Sequence, residues 1–208
     1  HWEQVLLDEN SVTTVYNGID FGRLASSEKS EWTLDEHADI RHDSIVISNA
    51  ATLSEQKNQE TLIRAIAIAN EQSTKSIELV MSGDGSRREF LEQVIAREGV
   101  GDQVHLLGYL EDRAYVYQMI RASDVFAMPS RWEGFCVAVL EAIALQTPAV
   151  LSDINVFREV YGDVARYHAV EDADQLAEQL VYFAERPEEC KKYAKKGREL
   201  VSSYRLER

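Results

Sequence analysis

The sequence contains little cysteine and few basic residues, and each shortage excludes a class of protein. The two cysteines, Cys136 and Cys190, lie in no Cys-x-x-Cys or Cys/His cluster, which argues against a disulfide framework and a zinc motif. A reducing, cytosolic setting is therefore expected. Lysine and arginine total 22 against 36 acidic residues, for a net charge of -14. Nucleic acid is not an expected partner, because it requires a basic surface.

Long hydrophobic runs are also absent. No apolar stretch approaches the roughly 18 to 20 residues needed to span a bilayer. The start of the chain has neither the basic nor the apolar part of a signal peptide. Apolar residues make up 45% of the 208 residues and charged residues 28%, which is typical of a globular protein with a single sizeable core.

Short β-rich runs alternate with helical patterns through most of the chain. One helical stripe consists of Leu62, Ile63, Ile66 and Ala69. This alternation predicts right-handed β-α-β crossovers, and so an α/β fold with a Rossmann-like parallel sheet and helices on both faces. The five predicted strands are residues 44–48, 77–81, 104–107, 125–128 and 149–151.

The two ends differ from this pattern. Residues 1–42 are polar and irregular, and we interpret them as the end of a preceding domain, a linker and a leading segment. Residues 43–185 contain the alternating pattern and form the predicted Rossmann-like domain. Residues 186–208 are assigned to a C-terminal helix, in which Pro187 suits the first turn.

Residues 129–142 are the most informative stretch. They lead from the fourth strand into a helix predicted to start near Gly134 or Phe135. Open parallel sheets bind ligands beyond the carboxyl ends of their strands, and the free N–H groups of a helix start favour phosphate. Glu133 and Glu141 can both accept hydrogen bonds from a hydroxyl-rich ligand. For the pair alone, a helix cap at Glu133 and a solvated Glu141 is the favoured interpretation.

Residues 133–150 read EGFCVAVLEAIALQTPAV and resemble the EGFG-x-x-x-x-EA-x-A-x-G-T-P-V segment of retaining GT-B glycosyltransferases of family 4. The resemblance covers about residues 14–208. It implies that Glu133 contacts the transferred sugar and that Glu141 binds the ribose hydroxyls of the nucleotide. Backbone amides that meet the sugar or the diphosphate are implied at Phe135, Cys136 and Val137.

Other stretches match the same family in the same order. Residues 16–20 resemble the element that opens its C-terminal domain. The Gln-Lys-Asn run at Lys57 resembles the segment whose lysine binds the donor diphosphate, although Lys57 taken alone reads as a surface lysine. The turn at Gly83 resembles the Gly-Asp-Gly turn of the family. Tyr109 and Leu110 follow the third strand, where the family holds the base; an ordinary packed tyrosine is the alternative for Tyr109.

The sequence departs from the family pattern at three positions. Thr52 stands where an arginine pairs with the lysine on the diphosphate, so a charged contact is lost unless Arg131 or a domain outside the chain supplies a cation. Cys136 replaces the second glycine of the EGFG motif, and its side chain is expected to crowd the backbone. Gln146 replaces the glycine that ends the helix.

No metal or cofactor is expected. Asp172-Ala173-Asp174 has the form of a metal-binding DxD motif, but it opens a predicted helix, where acidic residues cap the positive end of the dipole. The histidines show no ligand spacing and are interpreted as structural or exposed; those considered are His37, His42, His105 and His168.

By resemblance, the chain is the donor-binding half of a retaining glycosyltransferase, which transfers a sugar from a nucleotide-diphosphate sugar to an acceptor hydroxyl. The expected partners are the nucleotide sugar and an N-terminal acceptor-binding domain outside the chain, with a membrane-associated acceptor at the cytoplasmic membrane face as a further expectation. The fragment alone is expected to bind the donor weakly without turnover. The alternatives are a non-catalytic nucleotide-binding scaffold, favoured by Thr52 and Cys136, and a GT-B epimerase or phosphorylase, which the paired glutamates argue against.

Overall fold

The computed structural model describes residues 17–205, which contain one sheet of six parallel strands. The strand order is β3-β2-β1-β4-β5-β6. The strands are β1 (Ile45–Ala50), β2 (Ile77–Ser82), β3 (Val104–Gly108), β4 (Val125–Met128), β5 (Ala149–Ser152) and β6 (Ala165–His168). The five predicted strands and the Rossmann-like fold are confirmed, and β6 is a sixth strand that was not predicted from the sequence. The order reverses direction between β1 and β4, which is where doubly wound sheets open a crevice.

Helices connect the strands and cover the sheet. The α-helices are α1 (Phe21–Ser26), α2 (Gln59–Gln72), α3 (Arg88–Glu98), α4 (Arg113–Arg121), α5 (Val137–Ala144), α6 (Asn155–Tyr161), α7 (Ala173–Ala184) and α8 (Pro187–Val201). Short 3-10 turns occupy Ser27–Lys29, Leu34–Glu36 and Ser202–Tyr204. Pro187 starts α8 as predicted, since its missing N–H costs nothing at that position. Every helix within residues 17–205 is too short or too polar to cross a bilayer.

Two hydrophobic cores lie on opposite faces of the sheet. Alternate residues of β4 enter alternate cores: Val125 packs with α2, α3 and α7, and Phe126 packs with α4, α5 and α6. Both side chains are fully buried. Because both faces are covered, the strands are apolar on both sides, and the edge formed by the carboxyl ends of the strands is left for polar side chains.

Residues 17–42 are more ordered than the sequence predicts. They form α1 and two 3-10 turns, and Leu24, Trp32 and Leu34 are buried in the core beside α4. Ile19 donates its N–H to the carbonyl of Tyr204 at 2.8 Å, so the two ends of the described chain meet. The expectation of an irregular segment is wrong for this part, because five scattered buried apolar residues give no periodicity yet suffice to pack the segment against the core. Residues 1–16 and 206–208, which include Tyr16 of the predicted opening element, lie outside the described residues.

Candidate active site

The loops that follow β1 and β4 are joined by hydrogen bonds at the reversal point of the sheet. The side chain of Gln56 donates to the carbonyl of Trp132 at 2.9 Å, and the Arg131 N–H donates to the carbonyl of Gln56 at 2.8 Å. Asn58 donates from its side chain to the Pro129 carbonyl at 3.2 Å. Asn58 has a φ of 51°, a left-handed conformation that asparagine tolerates better than most residues. These bonds hold Lys57 against the loop of Glu133.

Lys57 and Glu133 form an ion pair in this crevice. The Lys57 Nζ lies 2.5 Å from Oε1 of Glu133, and the Ser130 hydroxyl donates to the same oxygen at 2.7 Å. The Lys57 side chain is 17% exposed and the Glu133 side chain is 6% exposed. The N-cap position of α5 is occupied by Cys136, three residues after Glu133. The interpretations of Lys57 as a surface lysine and of Glu133 as a helix cap are therefore both wrong, and the two side chains form one largely buried ion pair.

A cavity of about 440 Å³ opens beside Lys57. Five of the residues singled out in the sequence line it: Thr52, Lys57, Gly83, Tyr109 and Leu110. The other lining residues are Ala50, Ala51, Ser82, Asp84, Glu111, Arg113 and Val116. They come from the carboxyl ends of β1, β2 and β3 and from the start of α4, which is the edge where an open parallel sheet binds ligands.

The glycine turn after β2 shapes the floor of this cavity. Gly83 has a φ of 138°, and a Cβ there would lie 1.9 Å from the Ala51 carbonyl oxygen. Its N–H donates to the Gly108 carbonyl at 2.8 Å. Only glycine fits, because a side chain would collide with the backbone that follows β1. The backbone that Gly83 approaches closely is therefore that of Ala51, directly after β1.

Tyr109 stands at the cavity with most of its surface in solvent. Its relative exposure is 73%, the largest among the exposed large hydrophobic residues of the described chain. The alternative of a packed tyrosine is therefore wrong. An exposed ring at a cavity provides a flat apolar face on which a planar group can stack.

Glu141, the second glutamate, is buried on α5 and held by two side chains of α4. Arg113 donates to both carboxylate oxygens, through Nε to Oε1 at 3.3 Å and through Nη2 to Oε2. The Tyr117 hydroxyl donates to Oε1 at 2.7 Å. The interpretation of Glu141 as a solvated helix residue is wrong, since its side chain is only 9% exposed.

The charges of this cluster stabilise one another. Burial opposes the charge of Arg113, but the Glu141 carboxylate outweighs it and raises the pKa of Arg113. Burial and the same carboxylate raise the pKa of Tyr117 to about 12. Neither residue was predicted from the sequence. Their i, i+4 spacing on α4 places them on one face, but Glu141 is 28 residues beyond Arg113, so the contact is visible only in the fold.

Helix α5 begins at Val137, later than the predicted start near Gly134 or Phe135. The reason is Cys136, whose φ of 64° is left-handed and cannot belong to the helix. The Tyr161 hydroxyl fixes this turn by donating to the Cys136 carbonyl at 2.9 Å. Burial, followed by the charge of Glu133, raises the pKa of the Cys136 thiol to about 12. The Val139 N–H donates to the Cys136 carbonyl at 3.1 Å. The amides of Val137 and Ala138 are at the positions that a helix start leaves without an intrahelical acceptor.

Arg131, which the sequence analysis considered as a replacement for the arginine missing at Thr52, does not line the cavity of Lys57. Its Nε lies 2.6 Å from Glu171, and its guanidinium also bonds to the Glu55 carbonyl. It lines a second cavity of about 470 Å³, together with Trp132 and Glu133. Glu133 therefore lines the second cavity and pairs with Lys57, which lines the first.

The part of the chain that the structure describes holds no group of three or more His, Cys, Asp or Glu suited to a metal ion. Asp172 accepts a hydrogen bond from the Gln175 N–H at 2.9 Å and caps α7, as predicted. His105 contacts the buried Glu78 at 2.8 Å, and His168 is buried in β6. Both are structural, as expected.

Comparison with known proteins gives consistent matches. The family model described as glycosyl transferases group 1 matches residues 30–200. The O-antigen biosynthesis glycosyltransferase WclY of Escherichia coli is 25% identical over 81% of this chain and 45% of its own length. A UDP-Gal:alpha-D-GlcNAc-diphosphoundecaprenol alpha-1,3-galactosyltransferase of E. coli is 27% identical over 74% of this chain and 39% of its own. The chain thus spans less than half the length of these curated relatives.

Solved structures share the fold. Anabaena Alr3699/HepE in complex with UDP and glucose superposes with a TM-score of 0.77 at 21% identity, over 95% of this chain and 54% of that one. WaaG, a glycosyltransferase involved in lipopolysaccharide biosynthesis, gives 0.77 at 19% identity, over 94% and 53%. The family model covers most of the chain, and the fold agrees with it. The chain belongs to the group 1 glycosyltransferases.

Proposed function

We propose that this chain binds a nucleotide-diphosphate sugar in the cavity beside Lys57, as the donor-binding half of a retaining glycosyltransferase. The observation that carries the proposal is the Lys57–Glu133 ion pair at the reversal point of the sheet, next to the start of α5. The reaction requires a cation for the departing diphosphate and a carboxylate near the developing oxocarbenium ion. This pair offers both within one crevice.

Each part of the donor has a matching group. Lys57 keeps two N–H donors beyond its bond to Glu133, and the amides at the start of α5 add the positive end of a helix dipole for the phosphates. Glu133 positions the sugar, Glu141 accepts from the ribose, and Tyr109 stacks on the base. No step requires a metal, because the cations and amides of the chain carry the charge of the leaving group.

The whole enzyme is proposed to transfer the sugar to an acceptor hydroxyl held by an N-terminal domain, in the cytoplasm. A lipid-linked acceptor at the membrane face is supported by the galactosyltransferase relative, whose name specifies a diphosphoundecaprenol-linked sugar. The chain alone then binds the donor weakly and does not turn over, since the acceptor site is not in it.

Titration with UDP, GDP and ADP, followed by calorimetry and thermal shift, tests the donor site. One of the three is expected to bind and to raise the melting temperature. Glu141→Ala is expected to weaken that binding about tenfold, because one ribose hydrogen bond to a carboxylate is lost. Glu178→Ala, an exposed position on α7, serves as control. A scaffold would bind none of the three, and an unchanged affinity of Glu141→Ala would refute the ribose assignment.

Retention is tested on the full-length protein. Release of free nucleotide, with the anomeric configuration of donor and product compared by NMR, is expected to show transfer with the configuration kept. An epimerase would instead change the donor sugar, and inversion would rule out the retaining mechanism.

A further inference from the structure

The cavity contains a second cation that neither the family motif nor the comparisons assign. Within residues 17–205, the basic side chains that line the cavity are Lys57 and Arg113. Arg113 is the first residue of α4 and follows β3, so it comes from a different loop than Lys57. Each glutamate of the motif is thus held by its own cavity-lining cation, Glu133 by Lys57 and Glu141 by Arg113.

We propose that Arg113 is a donor-binding residue: it holds Glu141 with two N–H groups and binds an oxygen of the donor diphosphate with the others. This inference rests on the proposed function, since it concerns the same nucleotide-diphosphate sugar. It assigns to Arg113 the positive charge that the chain lacks at Thr52.

The hydrogen-bonding capacity of the cluster permits both tasks. A guanidinium has five N–H donors, and Glu141 uses only Nε and one N–H of Nη2. The Arg113 side chain is 47% exposed, while that of Glu141 is 9% exposed, so the unused donors have access to the cavity. A carboxylate accepts about four hydrogen bonds, and Arg113 with Tyr117 supplies three, which leaves room for one ribose hydroxyl. The pair does not have to break for the donor to bind.

The position of Arg131, the other candidate for a second cation, supports the assignment to Arg113. Thr52 lines the cavity but offers only a hydroxyl. The Arg131 guanidinium is committed to Glu171 and the Glu55 carbonyl, and it lies at the second cavity. The second positive charge that a diphosphate needs, in addition to that of Lys57, is therefore supplied by Arg113 at the start of α4.

Inorganic pyrophosphate is the discriminating probe, because it has neither ribose nor base. Its affinity is measured by calorimetry, or by competition with the nucleoside diphosphate that binds. Arg113→Gln is expected to weaken pyrophosphate about tenfold, the value of one charge-assisted hydrogen bond. Glu141→Gln is expected to leave pyrophosphate binding intact or to strengthen it. Arg97→Gln is the matched control, since Arg97 also donates twice to one carboxylate, on Glu98, away from the cavity.

A double variant separates direct contact from charge repulsion. Arg113→Gln alone leaves the Glu141 carboxylate without its cation, which by itself would repel a phosphate. In Arg113→Gln/Glu141→Gln that repulsion is removed, so a loss that persists supports direct contact, and a loss that disappears overturns the proposal. Thr52→Arg added to Arg113→Gln is expected to restore at least part of the pyrophosphate affinity.

The outcomes also distinguish this inference from the proposed function. If the wild type binds neither a nucleoside diphosphate nor pyrophosphate, both fail. If it binds the nucleoside diphosphate with dependence on Glu141, while Arg113→Gln binds pyrophosphate like wild type, only the role of Arg113 fails. Melting temperatures of all variants, measured without ligand, verify that each one is folded.

Discussion

At the scale of single residues, two departures from the family motif have a left-handed backbone conformation, which favours glycine. Cys136 has a φ of 64° and Gln146 a φ of 67°. A left-handed conformation costs a residue with a side chain about 1 kcal/mol or more, and glycine avoids most of this cost. A glycine would therefore fit the chain geometry at these two positions, and the fold accommodates Cys136 and Gln146 at a cost in stability.

Gln146→Gly is expected to stabilise the protein by about 0.5 to 1 kcal/mol, because relief of the left-handed strain exceeds the added entropy of the unfolded chain. Gln146 is exposed, so no packing is lost. Gln93→Gly, an exposed position inside α3, is the matched control and is expected to destabilise by about 1 kcal/mol. Urea denaturation measures both. Equal destabilisation by the two substitutions would contradict the strain at Gln146.

The Cys136 thiol is expected to be unreactive despite its place in the motif. Its pKa of about 12 leaves almost no thiolate near pH 8, and the thiolate is the nucleophile. Burial raises the pKa of Cys190 to about 11. With a chromogenic disulfide reagent at pH 8, native protein should react far more slowly than a small free thiol, and both cysteines should react fully in denaturant. Rapid labelling of native Cys136 would show that the turn before α5 opens readily.

At the scale of elements, β6 makes stability depend on pH. His168 ends this strand; its Nδ1 lies 2.8 Å from the Ala169 carbonyl, and its Nε2 is buried without a hydrogen-bond partner. Burial lowers the pKa of His168 below its ordinary value of 6.5, although Asp172 and Asp153 lie near enough to oppose the shift. The folded state therefore binds a proton less readily than the unfolded chain.

The free energy of unfolding should consequently fall as the pH drops below about 6.5, because the unfolded state gains the proton first. His168→Gln is expected to reduce this slope between about pH 7 and 5.5, and His42→Gln, at an exposed site, is expected to keep it. Denaturation midpoints across this pH range measure the difference. An identical slope in His168→Gln would mean that other groups cause the pH dependence.

β6 also illustrates where the sequence is insufficient. Its four residues lie at the sheet edge, and the two central ones, Arg166 and Tyr167, are only half-buried, so no apolar run marks the strand. The inner strands are buried on both faces and read as apolar runs, which is why they were predictable. The start of α5 was misplaced for a local reason, since the conformation of Cys136 cannot be read from composition.

At the scale of the whole molecule, one part of the candidate site was predictable from the sequence and another part was not. Lys57 and Glu133 follow different strands, and the rule that ligands bind at the carboxyl ends of parallel strands brings them together before any coordinates are known. Arg113 and Tyr117 reach Glu141 through packing of α4 on α5, a contact that no local pattern encodes. The sheet topology was predictable from the sequence, whereas the side-chain pairs that set the charge of the site were not.

Net charge gives a prediction for the entire chain. The protein carries -14, the two cavity cations are each paired with a glutamate, and Asp84 and Glu111 also line the cavity. A diphosphate therefore approaches through a repulsive long-range field and is attracted only at contact. Raising the salt from about 0.01 M to about 0.15 M shortens the Debye length from about 30 Å to about 8 Å, which screens the repulsion more than the contacts.

The association rate of the nucleoside diphosphate that binds is accordingly expected to rise with salt over this range, and its affinity to stay equal or increase. Stopped-flow or surface-based kinetics measures the rate, and the corresponding uncharged nucleoside is the control, whose binding should not respond. A severalfold loss of affinity with salt would mean that the local cations dominate the field at the cavity mouth. In that case Lys57 and Arg113 would be less completely neutralised by Glu133 and Glu141 than their ion pairs indicate.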